Sequence, residues 1–221
     1  MKYYKIKLSF YNYNDKNKRI TSSAKGNKIP NANYYFYEMR EGKILTDAPL
    51  FDYFFLESFE KKKYWEKYLL DVHDFFGEGS QIMGWFVSED LKLLLETFNL
   101  SQPHHFYPSK LSYKGEKIDY YIFQFAGHIM IDEIRTKCIN WKNSVFFNPI
   151  DELRSIMKRS KYDKEIKLQK LALKEDLDFF PMATYLNDDI VSENLKRAIE
   201  EMKITGFEFS ELDYEVVVDI E

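Results

Sequence analysis

The side chains able to do acid–base or metal chemistry in this 221-residue chain fall into small groups, each asking for a different chemistry. Asp71, His73 and Asp74 place two carboxylates and an imidazole close together, the ligand types of a zinc or other divalent-cation site. A metal site needs ligands converging at defined spacings, and the chain has no His-Glu-x-x-His run and no paired Cys-x-x-Cys. The group therefore reads as solvated helix surface. His104 and His105 follow Pro103 in an expected loop, where two imidazoles have the donors to hold a metal or meet a partner. His128 beside Gly127 reads as structural. Cys138 is near Arg135 and Lys137, cations that lower a thiol pKa when they approach in space, yet no base accompanies it. Asp132, Glu133, Asp188 and Asp189 supply carboxylates, whereas glycoside hydrolysis needs a facing pair across a cleft, which linear spacing does not establish. Gly77-x-Gly79 lacks the remaining glycines of a dinucleotide-binding turn. No catalytic residue, metal or cofactor is assigned.

The elements that must position these groups are announced by a repetition. Val87-Ser88-Glu89-Asp90-Leu91-Lys92 returns as Val191-Ser192-Glu193-Asn194-Leu195-Lys196. Each serine can accept a hydrogen bond from a free backbone N–H of a first helical turn, and the acidic residues behind it face the positive helix end. Leu91, Leu94, Leu95 and Phe98 then form an apolar stripe, matched by Leu195, Ala198, Ile199 and Met202. With a three-residue shift, Phe106, Ser109 and Leu111 fall against Phe207, Ser210 and Leu212. The pattern predicts a duplicated unit of strand, capped helix and strand.

Along the rest of the chain, residues 1–10 alternate as a half-buried strand, and residues 12–31 read as a polar, basic connection. Residues 34–39 are expected as a strand, 51–59 as a short helix or strand, and 60–76 as a helix ended by Gly77-Glu78-Gly79-Ser80. Residues 120–125 read as a strand continuing at 128–134, and 145–147 as another short one. Pro149 opens an expected helix with Asp151, Leu153, Ile156 and Met157, periodicity resumes at Ile166, Leu168 and Leu171, and 177–185 and 207–218 read as extended. The fold class is α+β, with antiparallel or mixed sheets and packed helices. A 1–112 lobe and a 113–221 lobe in close contact are expected, without a free linker, with one compact domain as the alternative.

Composition narrows the function. Aromatic residues make up 18%, beyond the obvious needs of packing; they read first as core and sheet-face residues, with some at the surface as the alternative, since aromatic groups are enriched in protein interfaces. A single cysteine suits a reducing compartment, the first residues alternate and do not form an apolar signal segment, and the cytoplasm is the expected location. Net charge is −4, yet residues 175–221 carry fourteen acidic against three basic side chains. That segment should steer a basic partner and repel nucleic acid. Candidate partner contacts are Asp188, Asp189, Glu200, Glu201, Glu208, Glu211 and Asp213, with His104, His105 and Tyr107 added from the expected loop. An enzyme using a cleft between the lobes is the alternative. Nucleic-acid contact would require Lys16, Lys18, Arg19, Lys25 and Lys28 to share one face with Lys158, Arg159 and Lys161.

The two capped segments, the Tyr-rich strand before Ile131-Asp132, and Ile204-Thr205-Gly206-Phe207-Glu208-Phe209 carry a resemblance. The chain resembles bacterial immunity proteins of polymorphic toxin systems, a family formerly catalogued as an uncharacterised conserved domain. Leu195, Gly206 and Phe207 match its pattern most clearly, within a span from Gln81 to Leu212. The resemblance implies a cytoplasmic antidote that binds a cognate secreted toxin and blocks it without catalysis. It brings no catalytic residue and leaves the toxin class open.

Overall fold

A computed structural model describes residues 1–9, 11–12, 15–19, 22–58, 67–82, 84–126, 138–147, 168–181 and 189–219. In chain order the elements are β1 (Tyr3–Leu8), β2 (Tyr11–Asn12), β3 (Asp15–Arg19), β4 (Ser22–Gly26), helix α1 (Ala32–Arg40) and β5 (Phe51–Ser58). Next come β6 (Val72–His73), β7 (Phe75–Gly77), a 3-10 turn at Glu78–Gln81, β8 (Trp85–Ser88), α2 (Glu89–Leu95), β9 (His104–Tyr113) and β10 (Glu116–Phe125). The remainder is β11 (Val145–Phe146), β12 (Leu168–Leu173), β13 (Phe179–Pro181), β14 (Asp189–Ser192), α3 (Glu193–Glu201), β15 (Phe207–Glu211) and β16 (Glu215–Val218).

The fold is α+β with mixed sheets. Seven strands in the order β6-β8-β10-β9-β5-β4-β7 make a near-closed barrel. Its two end strands are separated in sequence only by Asp74, so the sheet curls until its ends adjoin, and the Ala24 N–H reaches the Asp74 carbonyl at 2.8 Å. A second sheet runs β13-β14-β1-β15 and a third β11-β12-β16, with β2 and β3 as a separate pair. The expected 1–112 and 113–221 segments interleave in space: β1 lies between β14 and β15, and the β9–β10 hairpin carries residues 112 and 113.

Period-two alternation assigns each strand's side chains to two different cores. On β10, Tyr120 and Ile122 point into the barrel with Phe51, Phe54 and Phe86, whereas Phe123 and Phe125 point outward. Those outward rings meet Leu91, Leu95, Phe179, Val191, Leu195 and Phe207. The four-stranded sheet is divided likewise: Ile6 and Val191 face this shared core, while Tyr3 and Ile190 face a third core with Ile139, Leu168 and Val216. The layers are therefore barrel, shared core with α2 and α3, four-stranded sheet, third core and three-stranded sheet.

Several local expectations change once long-range packing is included. Residues 34–39 are helical, inside α1, because Ala32, Phe36 and Met39 at helical spacing are buried while Tyr34 and Tyr37 face out. Asn31 enters that helix from the left-handed region at φ 54°. The expected 60–76 helix fails in its described part, where Leu70-Asp71 leads into β6 and β7. Pairing with β8 and β4 overrides helical propensity there. Residues 51–58 are a strand, and the supposed connection after β1 contains β2, β3 and β4. The loop expected at 104–107 is the start of β9. Met202 leaves the expected stripe: α3 ends at Glu201 and Met202 is exposed. The readings at 128–134 and 149–157, and Lys158, Arg159 and Lys161, lie outside the described residues.

Candidate partner-binding surface

The acidic corner is built by α3, β15 and β1. Ser192 starts α3 by accepting the Leu195 N–H at 3.1 Å, and its hydroxyl donates to Asp178 Oδ1 at 2.6 Å. Leu195 and Ile199 turn inward and are buried, which turns Glu200 and Glu201 to solvent. On β15, Phe207 is buried, Glu208 half-buried and Glu211 exposed, and Asp213 is exposed in the turn beyond. Asp189, half-buried, begins β14 opposite Ile6; Asp188 lies outside the described residues. The structure thus brings Glu200 and Glu201 onto one helix face and Glu208 and Glu211 onto one strand.

The linear charge count overstates the field of this corner, because the neighbour of β15 is the basic strand β1. Lys7 meets Glu208 at 2.8 Å and Lys2 meets Glu211 at 2.6 Å. The hydrogen bond to Lys2 lowers the Glu211 pKa, and the same bond raises that of Lys2. On α3, Lys196 pairs with Glu200 at 2.7 Å and Arg197 approaches Glu201 at 3.8 Å, both one turn apart. Such exposed pairs add little stability, but they set the local pattern of charge.

The histidines do not form a shared ligand pair. Successive strand residues point to opposite faces, so His104 sits among Phe106, Phe123 and Phe125, whereas His105 lies edge-on to Tyr107 at 4.5 Å. Burial lowers both imidazole pKa values, and for His105 the neighbouring His104 adds to the effect. Tyr107, expected at a loop surface, is 1% exposed inside the barrel. Its hydroxyl accepts the Leu45 N–H at 3.1 Å and donates to Gln124 Oε1 at 3.2 Å. That placement makes it a core residue.

Asp71, His73 and Asp74 also diverge. Asp71 accepts the Ser88 hydroxyl at 2.8 Å on one oxygen and the Thr205 N–H and hydroxyl, each at 2.7 Å, on the other. His73 is buried beside Tyr120, accepting the Leu70 N–H on Nε2 at 3.2 Å, and desolvation holds its pKa down at about 4. Burial raises the Asp74 carboxyl against a bond from Ser23. Among the described residues no group of three or more His, Cys, Asp or Glu can hold a metal ion. Cys138 is buried, and desolvation pushes its thiol up to about 11, away from the reactive thiolate. Gly77, at φ 64°, begins the 3-10 turn from which Glu78 accepts the Ile29 N–H at 2.8 Å. Among the described residues no helix is long and apolar enough to cross a membrane.

Sequence reasoning missed two sets of residues that shape this surface. Asp71 and Asp178 brace the cap serines; the signal was a Leu-Asp pair, Leu70-Asp71 and Leu177-Asp178, ahead of each strand. Lys196 lies over Tyr4 and Phe209 at 5.2 and 5.4 Å, and Lys92 over Tyr121 and Phe106 at 5.1 and 5.7 Å. The partner rings come from distant strands, so nothing near either lysine in the chain reveals them.

Set against known proteins, residues 77–214 match the model of the immunity protein family (Imm11). That span takes in β8, α2, the β9–β10 hairpin, β14, α3 and β15. No curated protein matches the chain.

Proposed function

The chain belongs to the Imm11 immunity protein family, and from that premise we propose that it binds a cognate bacterial toxin and neutralises it by steric occlusion, without catalysis of its own. Family membership is the observation that carries this function. The toxin meets the acidic α3–β15 corner, where Glu200, Glu201, Glu211 and Asp213 are exposed, with Asp188, Asp189 and Glu208 as further contacts. The ion pairs along that corner make it a patterned surface, so charge steers encounter and matched desolvation supplies affinity. The space between barrel and four-stranded sheet is filled by Trp85, Phe123, Phe179 and Phe207, which supports a binding scaffold over an enzyme working in a cleft there. The site of action is the cytoplasm.

We also infer that the two capped segments are one strand–capped helix–strand unit used twice. Both serines accept from the residue three positions on, Leu91 at 3.2 Å and Leu195 at 3.1 Å, and both donate to an aspartate.

The test is co-expression with the toxin encoded beside this protein. Growth should be rescued and the two chains should co-purify. Replacing Glu200, Glu201 and Asp213 together with lysine should slow association roughly tenfold at low salt, and much less at high salt. Rescue without a complex would sink occlusion, and an unchanged association rate would move the interface off this corner.

A further inference from the structure

The serine caps belong to a wider correspondence. β10 lies between β8 and β9, antiparallel to both, and β1 lies between β14 and β15 in the same senses. The registers agree: Tyr120 and Tyr121 oppose Ser88 and Val87, as Tyr3 and Tyr4 oppose Ser192 and Val191. The first tyrosine of each pair donates its hydroxyl to a leucine carbonyl, Tyr120 to Leu70 at 2.7 Å and Tyr3 to Leu177 at 3.1 Å. The aspartate after each leucine takes the cap serine twice. Its carboxylate accepts the serine hydroxyl and its carbonyl accepts the serine N–H, the latter at 2.8 Å in both places. One turn into each helix, Lys92 and Lys196 each lie on one ring of the central strand and one ring of the strand after the helix, and pair with Glu96 and Glu200. Strand pairing also corrects the alignment read from sequence. Phe106 opposes Phe123 on β10 and Phe209 opposes Ile6 on β1, so Phe106 corresponds to Phe209 and not to Phe207.

The order along the chain differs. The first set runs Leu70-Asp71, β8, α2, β9 and then its central strand β10, whereas the second runs Leu177-Asp178, β14, α3, β15 and takes its central strand, β1, from the other end of the chain. We infer that the chain contains two circularly permuted copies of one unit, locked by an exchange of turns in which each aspartate also serves the other copy. Thr205, in the turn after α3, donates its N–H and hydroxyl to Asp71 Oδ2 at 2.7 Å. Asn99, in the turn after α2, donates its N–H to Asp178 Oδ2 at 3.1 Å. One oxygen of each carboxylate braces its own helix and the other holds the turn of its counterpart. The pair acts as a two-way latch that sets α2 against α3, and with them the acidic face of α3 against the barrel.

The inference rests on the duplicated unit proposed above and is independent of the toxin. Hydrogen exchange by mass spectrometry on the full chain tests it. Asp71→Asn keeps the side-chain shape but turns an amide donor toward donors, and should speed exchange about tenfold both at residues 89–92 and across the interface at 203–207. Asp178→Asn should do the same at 193–196 and at 99–101. Thr205→Val retains the Ser88 brace and should release 203–207 while sparing 89–92. Faster exchange confined to the substituted copy, or a Thr205→Val chain with the native pattern, overturns the latch. If the two aspartate variants loosen their own helices to clearly unequal degrees, the duplicated unit falls, and the latch falls with it.

Discussion

The wall formed by β8, β10 and β9 and the sheet formed by β14, β1 and β15 share their hydrogen bonding at the shared core but differ on their other faces. Behind β10 lies the closed barrel, where Ile122 and Gln124 are fully buried, and the Gln124 amide donates to the Met39 carbonyl at 2.5 Å. On the corresponding side of β1, Tyr3 reaches the third core, but Lys5 and Lys7 face Ser210 and Glu208 across the strand pair. The first set of strands thus has an apolar back and the second a charged margin. The back face decides which set of strands seals an interior and which leaves charged groups at its edge.

The most damaging way to break this comparison is through the core the two halves share. Phe123, 2% exposed, packs against Trp85, Phe106, Phe125 and Phe179, and Phe123→Ala should cost about 3–5 kcal/mol in urea unfolding. A single destabilised transition is expected; two separate transitions would show that the halves stand alone.

The next effect is confined to the barrel. His73 titrates near 4 in the folded chain against about 6.5 unfolded, so the unfolded state binds the extra proton first as the pH falls. Stability from this residue is therefore full above pH 6.5, declines between about 6.5 and 4, and levels off below, a loss of about 3 kcal/mol. Asp74, whose raised pKa acts in the opposite sense, softens the lower end of that window. The His73→Gln chain should lose most of this slope in denaturation followed across the pH range. An unchanged slope would place the acid sensitivity in another group.

The smallest effect sharpens the likeness of the halves. Ser88→Ala and Ser192→Ala each remove a cap and leave an aspartate short of one donor, so each should cost about 1–2 kcal/mol by thermal or urea unfolding. Near-equal losses are expected, and a threefold disparity would mean that the matching distances conceal different environments.

What could be read from the chain was local. The cap serines, the stripes through Leu91 and Leu195 apart from Met202, the alternation at Tyr4, Ile6 and Leu8 in β1, and the strand at 120–125 depend on neighbours within a few residues, and each appears in the structure. Residues 34–39 misled because Tyr34-Tyr35-Phe36-Tyr37 is a run of aromatics, which favour strands, while the burial that decides the matter comes from Phe51 and Phe54 on β5. His104 and His105 looked like a loop because the long pairing of β9 with β10 leaves little mark on either segment alone. The acidic corner was legible as composition, but its compensation by Lys2 and Lys7 was not, because those lysines sit at the far end of the chain.

The seat of β1 has a consequence for biosynthesis. Residues 3–8 leave the ribosome long before either flanking strand, at 189–192 and 207–211, has been made. Until those strands are made, β1 lacks both of its sheet partners. A chain whose synthesis stops before β14 therefore leaves β1 with neither of its partner strands.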